Sequence, residues 1–246
     1  MARIALVTGG MGGLGVAICR ALAKSGHTVI STYFGNNEAT ANEWVAANQA
    51  AGFNIKAIQC DVSSWDSTVK AIQQIQEEVG PIDILVNNAG ITRDATFKKM
   101  TPEQWNAVIN TNLSSLFNTT KQVLDGMVER GFGRIINISS INGQKGQFGQ
   151  SNYAAAKAGI HGFTMSIAQE VAKKGVTVNS IAPGYIGTDM VMAVPEEVRN
   201  KIIAQIPVNR LGRPEEIAAL VDYLASDLAG FMTGAELAIN GGQHMM

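Results

Sequence analysis

Short apolar runs recur along the chain, and most are followed by a stretch whose apolar positions return every three to four residues. Residues 3–7, 28–32, 54–60, 82–86, 135–138, 176–182 and 236–239 have strand length and read as seven strands. Between the first two, Leu14, Ala17, Ile18, Ala21 and Leu22 fall on one face of a helix. Residues 38–50 read as a second helix, and Asp61-Val-Ser-Ser opens a third. Thr101-Pro-Glu-Gln104 starts a long helix, with Thr101 as cap, proline in the first turn and Gln104 at the capping-box position. Its apolar side carries Val108, Ile109, Leu113 and Leu116, and Asn112 falls among them. Pro214 opens an amphipathic helix ahead of the closing strand. Strands alternating with helices predict an α/β chain built on a doubly wound parallel sheet. No repeat or linker interrupts the pattern, so residues 1–246 are expected to form a single domain.

Ligands of such a sheet sit beyond the carboxyl ends of its strands. After the first strand comes Thr8-Gly-Gly-Met-Gly-Gly-Leu-Gly15. Glycines there let a backbone approach a diphosphate beside the free N–H groups of the next helix, which makes Gly9, Gly12, Gly13, Leu14 and Gly15 candidate contacts. The spacing departs from G-x-G-x-x-G, and a plain tight turn uses the same residues. Residues 31–37, after the second strand, contain neither acid nor arginine. A carboxylate at that place binds the free 2′-OH of NAD and repels the 2′-phosphate of NADP. Its absence favours NADPH, with Tyr33, Asn36 and Asn37 as neutral donors. Asp61 belongs either to the adenine end of such a ligand or to the cap of the following helix. The small residues of Asn87-Asn-Ala-Gly90 suggest close backbone packing. Asn112 needs internal hydrogen-bond partners if it is buried. Residues 185–207, after Pro183-Gly184, form either a mobile lid or two helices packed on the core.

Tyr153 and Lys157 are four apart in an alanine-rich run, so a helix brings both to one face. A free phenol has a pKa near ~10 and is a sluggish acid or base at neutral pH. A neighbouring ammonium favours the phenolate and makes the group more useful. Ser140 ends the strand before a glycine-rich loop, where its hydroxyl can meet the phenol.

Composition narrows the classes. The 246 residues are 46% hydrophobic and 16% charged with net charge −1, and no basic block points to nucleic acid or an anionic membrane. The run at 4–7 is too short for a leader or a membrane span, so the cytoplasm is the expected location. Cys19 and Cys60 lack metal-ligand spacing and are read as core residues in a reducing compartment. No metal is expected.

T-G-x-x-x-G-x-G at residues 8–15, N-N-A-G at 87–90, Asn112, Ser140, Y-x-x-x-K at 153–157 and Pro183-Gly184 resemble, in order and spacing, the short-chain dehydrogenase/reductase family over the whole chain. Residues 137–153 and the ending N-G-G-Q resemble more narrowly its NADPH-dependent acetoacetyl-CoA reductases, which supply bacterial polyhydroxybutyrate synthesis. The resemblance implies a Rossmann-like fold, NADPH, reduction of acetoacetyl-CoA to (R)-3-hydroxybutanoyl-CoA and a homotetramer. It implies Tyr153 as general acid, Ser140 as donor to the substrate carbonyl, Lys157 on the ribose and Asn112 as anchor of a relay water. It further implies Gly9, Gly13 and Gly15 at the diphosphate, and Asp61 and Val62 at the adenine. Asn88, Ala89, Gly90 and Ile91 then line the ribose, and Pro183, Gly184, Ile186 and Thr188 the nicotinamide. Gln147, Phe148, Gln150, Tyr185 and Asp94 are expected at the substrate mouth, Asp94 equally as a loop brace. Two other readings compete: the sister reduction of a 3-oxoacyl group on acyl carrier protein, and a non-catalytic dinucleotide-binding regulator. For the carrier reading, Arg130 and Lys174 supply basic charge, but Gly131 stands where the carrier reductases tend to have another base, and Glu129 opposes it. The Met-rich tail from His244 to Met246 is compatible with a buried interface.

Overall fold

The seven apolar runs become the strands of one sheet. In the computed structural model, which describes residues 2–245, these are β1 (Ile4–Val7), β2 (Thr28–Tyr33), β3 (Ile55–Gln59), β4 (Ile84–Asn87), β5 (Gly133–Ile138), β6 (Val176–Pro183) and β7 (Glu236–Ile239). They pair in the order β3-β2-β1-β4-β5-β6-β7, and every pair is parallel. Every residue of β5 and β6 is buried, so their polar members, Arg134, Asn137, Thr177, Asn179 and Ser180, lie in the interior beside the apolar ones.

Helices cover both faces. Ala5, Val7 and Val29 meet α1 (Leu14–Lys24) and α10 (Pro214–Ala225) through Ile18, Leu22, Ile217 and Val221. Leu6, Leu85 and Ile135 point the other way, to α3 (Trp65–Glu78), α5 (Ser115–Arg130) and α7 (Ser151–Val171), where Ile72, Ile75, Val123 and Met127 lie. Leu22 is fully buried, so Leu22→Ala is expected to cost about 2–5 kcal/mol. The remaining helices are α2 (Glu38–Ala50), α4 (Pro102–Ile109), α6 (Ile141–Lys145), α8 (Asp189–Met192) and α9 (Glu196–Ile203). No helix among the described residues is long and apolar enough to cross a membrane.

Three local expectations are corrected. Asp61 does not cap α3: Ser64 does, accepting from Ser67 N, while Asp61 accepts from Ser63 N and Oγ in the turn before it. The helix from Thr101 keeps its capping box but is not continuous. It widens at Asn110–Ser114 into one π turn, which divides it into α4 and α5. Of the two readings of residues 185–207, lid or core-packed helices, the core-packed one is corrected. Their helices α8 and α9 are short, and α9 buries no residue. In the tail Met245 is exposed, and Met246 lies outside the described residues.

Candidate active site

The sheet order reverses direction between β1 and β4, and the glycine segment and Asn87–Gly90 follow those two strands. Gly13 has φ +52° and is the last residue before α1, a backbone state that favours glycine. A Cβ on Gly15 would stand 2.5 Å from Gly9 O and 2.6 Å from Gly10 Cα, so the helix start is seated directly on the strand end. Around Gly12 there is open space, and a Cβ on Gly13 would lie 3.9 Å from Thr188 Cγ2. Thr8 and Asn88 lock the two loops together. Thr8 Oγ1 accepts from Asn88 N and Ala89 N, each at 3.0 Å, and Asn88 Nδ2 donates to Thr8 O at 2.9 Å and Gly9 O at 3.1 Å. The Asn88 side chain therefore braces the loop instead of offering its amide to a ligand. A preformed turn with an open side at a helix start suits the diphosphate of a dinucleotide.

At the end of β2, Tyr33 is half-buried and Asn36 exposed, while Asn37 Nδ2 donates to Phe34 O. Val62 is buried, and its carbonyl accepts from Asn118 Nδ2 at 2.9 Å. Farther along the same edge, Pro183 and Ile186 are buried, and a Cβ on Gly184 would meet Asn240 Cα at 2.8 Å.

Ser140, two residues beyond the end of β5, caps α6, and its Oγ accepts from Asn142 N at 3.1 Å. Tyr153 lies in the first turn of α7 with Lys157 one turn later, and Lys157 Nζ sits 5.5 Å from the ring centre. The ammonium is buried and donates to Ile138 O at 2.7 Å. Burial pulls its pKa down to about 8. The expectation of a phenol brought down towards the neutral range is corrected. Burial raises the Tyr153 pKa, the Ser140 hydroxyl beside it opposes that rise, and the Asp94 charge adds to it. The phenol thus stays protonated at neutral pH, the form that can give a proton away.

Asn112 is fully buried in the π turn and grips the loop after β4, accepting from Ile91 N at 2.8 Å and donating to Ile91 O at 2.9 Å. A Cβ on Gly90 would lie 3.3 Å from Asn112 Oδ1 and 3.6 Å from Lys157 Nζ, so Gly90 separates the two by little more than its own backbone.

Of the residues expected at the mouth, Asp94 and Gln150 meet: Gln150 Nε2 donates to Asp94 Oδ2 at 2.8 Å, and Asn142 Nδ2 donates to Gln150 Oε1 at 2.9 Å. Both ends of the Gln150 amide are engaged within this chain. Gln147 and Phe148 are exposed, Phe148 at 86%, and Tyr185 is half-buried with its carbonyl accepting from Gly212 N. Asn142 was missed in the sequence, as was a buried chain from Thr119 through Asn87 and Asn137 to Thr164. The available signal was Asn137, a polar residue inside the apolar run at 135–138.

Residues 3–199 match the short chain dehydrogenase family. The chain is 60% identical over 245 residues, covering 100% of both chains, to an acetoacetyl-CoA reductase of Allochromatium vinosum. It is 59% identical over 243 residues, 99% of this chain and 98% of the relative, to an acetoacetyl-CoA reductase of Cupriavidus necator. Identity is 46% over 245 residues, 99% of this chain and 98% of the relative, to a 3-oxoacyl-(acyl-carrier-protein) reductase of Vibrio harveyi.

Proposed function

The chain belongs to the short-chain dehydrogenase family, and from that premise we propose that it reduces acetoacetyl-CoA to (R)-3-hydroxybutanoyl-CoA with NADPH. The observation that carries the reading is the Tyr153 phenol, kept protonated by burial beside Ser140 and one helical turn from a buried ammonium, in a chain 60% identical to an acetoacetyl-CoA reductase throughout its length. When bound, the nicotinamide supplies the hydride. Gly12, Gly13 and the first turn of α1 would hold the diphosphate, Asp61 and Val62 the adenine, and Gly90 and Ile91 the ribose with Lys157. Thr188 would close over the nicotinamide end.

The chain's own groups handle the charge that develops on the substrate oxygen. Ser140 and Tyr153 are both hydroxyl donors, and two donors aimed at one oxygen stabilise an alkoxide as it forms. Tyr153 then gives up its proton. Lys157 offsets the negative charge left on the phenol, and Asn112 secures the loop beside both. The domain, residues 1–246, serves this one reaction in the cytoplasm as a homotetramer. The stacked, exposed Trp65–Phe117 pair and exposed Met165 supply apolar surface for such contacts, and a solution mass near 26.1 kDa would overturn the assembly.

The carrier-protein reading is the weaker one because Arg130, its main basic residue, is already engaged: Nη2 donates to Ile82 O at 2.8 Å and lies 3.3 Å from Asp83 Oδ1. One kinetic series tests both substrate and cofactor. Acetoacetyl-CoA should be reduced with kcat/KM at least equal to that of the carrier-linked substrate, and Phe148→Ala should raise its KM more than that of NADPH. A much higher kcat/KM for the carrier-linked substrate, abolished by salt, would reassign the enzyme. NADPH should be preferred to NADH, and Tyr33→Asp should erase the preference, since a carboxylate repels the 2′-phosphate. Parity in the parent chain would refute that reading of residues 31–37.

A further inference from the structure

One turn beyond Lys157 on α7 lies His161, 8% exposed, with both ring nitrogens engaged. Nδ1 is 3.0 Å from Ser180 Oγ on β6. Nε2 is 3.0 Å from Ser139 Oγ, just before Ser140, and 3.1 Å from Glu236 Oε1 on β7. The proton count selects the tautomer. Ser139 has a single hydroxyl proton, which goes to Lys157 O at 2.8 Å. Its oxygen can therefore only accept from His161, so Nε2 carries the hydrogen and shares it with the Glu236 carboxylate. In a neutral ring Nδ1 then accepts from Ser180. The ionisable groups facing the ring are Glu236 from β7 and Lys157 from its own helix, while the residue just after β5 and β6 itself present the Ser139 and Ser180 hydroxyls. Burial of the ring and Lys157 disfavour the imidazolium, outweighing Glu236.

Glu236 has a second partner. Its Oε1 also accepts from Gln144 Nε2 at 2.6 Å, and Gln144 belongs to α6, the turn that follows Ser140. One carboxylate thus holds the chain on both sides of Ser140, through His161 and Ser139 before it and through Gln144 after it. Slack at Gly143 is excluded as well, since a Cβ there would stand 2.7 Å from Lys157 C.

We propose that His161, as the neutral Nε2–H tautomer, and Glu236 form a positioning pair that fixes Ser140 relative to Tyr153 and Lys157. The inference rests on the reductase reading and adds to it two residues that touch neither substrate nor dinucleotide. A loosening of about 1 Å at a group aimed at a reacting atom lowers turnover by up to about a hundredfold.

The test compares His161→Leu, His161→Gln and Glu236→Ala with the parent. His161→Leu keeps volume and removes every bond, and Glu236→Ala sits on a partly exposed side chain, where folding is less at risk. Each should lower kcat by about tenfold to a hundredfold, with dinucleotide Kd, read by tryptophan quenching, within about threefold. His161→Gln, which keeps a donor and an acceptor, should recover most of the loss. Imidazole nitrogen NMR of the parent at pH 7 should report Nε2–H. Unchanged kcat in both deletion variants would overturn the proposal, as would the Nδ1–H tautomer or a loss of Kd parallel to that of kcat. If the parent leaves acetoacetyl-CoA unreduced, that substrate reading alone fails. The variants are then compared on the 3-oxoacyl thioester the chain does reduce, and the tautomer decides independently of substrate.

Discussion

Tyr153→Phe should lower turnover by about 10²- to 10⁴-fold while leaving dinucleotide affinity nearly unchanged. The substitution removes one hydroxyl and no packing. Burial holds the phenol above its ordinary value of 10.0, so the parent side chain carries its proton throughout the neutral range. Phenylalanine leaves Ser140 as the remaining donor of the pair, and a hydroxyl that only polarises the carbonyl does not complete the alcohol. Steady-state kinetics with acetoacetyl-CoA, paired with an equilibrium titration of NADPH, separates the two effects. Turnover within a factor of a few of the parent would remove Tyr153 from the role of acid.

Why the phenol needed a structure is instructive. Four-residue spacing on a helix was enough to bring Tyr153 and Lys157 to one face, and the ammonium does sit over the ring. Spacing carries no information about desolvation, and burial proved the largest influence on both groups. The strands were legible for a related reason: runs such as Val176–Pro183 are buried on both faces, and nothing but apolar or satisfied polar side chains fits there. The capping box at Thr101 was legible because its two hydrogen bonds are local. The cap alternative for Asp61 fails because Asp61 and Ser64 are both good acceptors ahead of α3, and only the path of the turn decides which reaches a free N–H. The π turn at Asn112 is set by a distant contact, the two bonds to Ile91, which a helical repeat cannot reveal. His161 sat in plain view one turn after Lys157. Its partners come from β6, from β7 and from the segment just after β5, so its meaning existed only after folding.

Lys157→Met should lower turnover by two orders of magnitude or more, about the range seen when a positioned proton-transfer partner is lost, yet leave the fold no less stable at pH 7. The reasoning starts from the buried ammonium. A folded-state pKa of about 8 against an ordinary 10.5 means that keeping Lys157 charged in the interior costs about 3 kcal/mol at neutral pH. The Ile138 carbonyl is the only hydrogen-bond partner of Nζ among the described residues, one bond where an ammonium can make three. Methionine fills nearly the same volume without that penalty, and the carbonyl it leaves with one donor fewer returns about 1–3 kcal/mol of cost. Because the folded chain releases this proton more readily than the unfolded chain, the penalty is present in full below pH 8 and fades as pH rises to 10.5. The parent should therefore gain stability from this group across that window, and Lys157→Met should lack that gain. Denaturant melts of both proteins at pH 7 and pH 10 read the difference. A variant clearly less stable than the parent at pH 7, with the same pH slope, would show that Lys157 holds the fold together, contrary to a charge kept there for chemistry at the expense of stability.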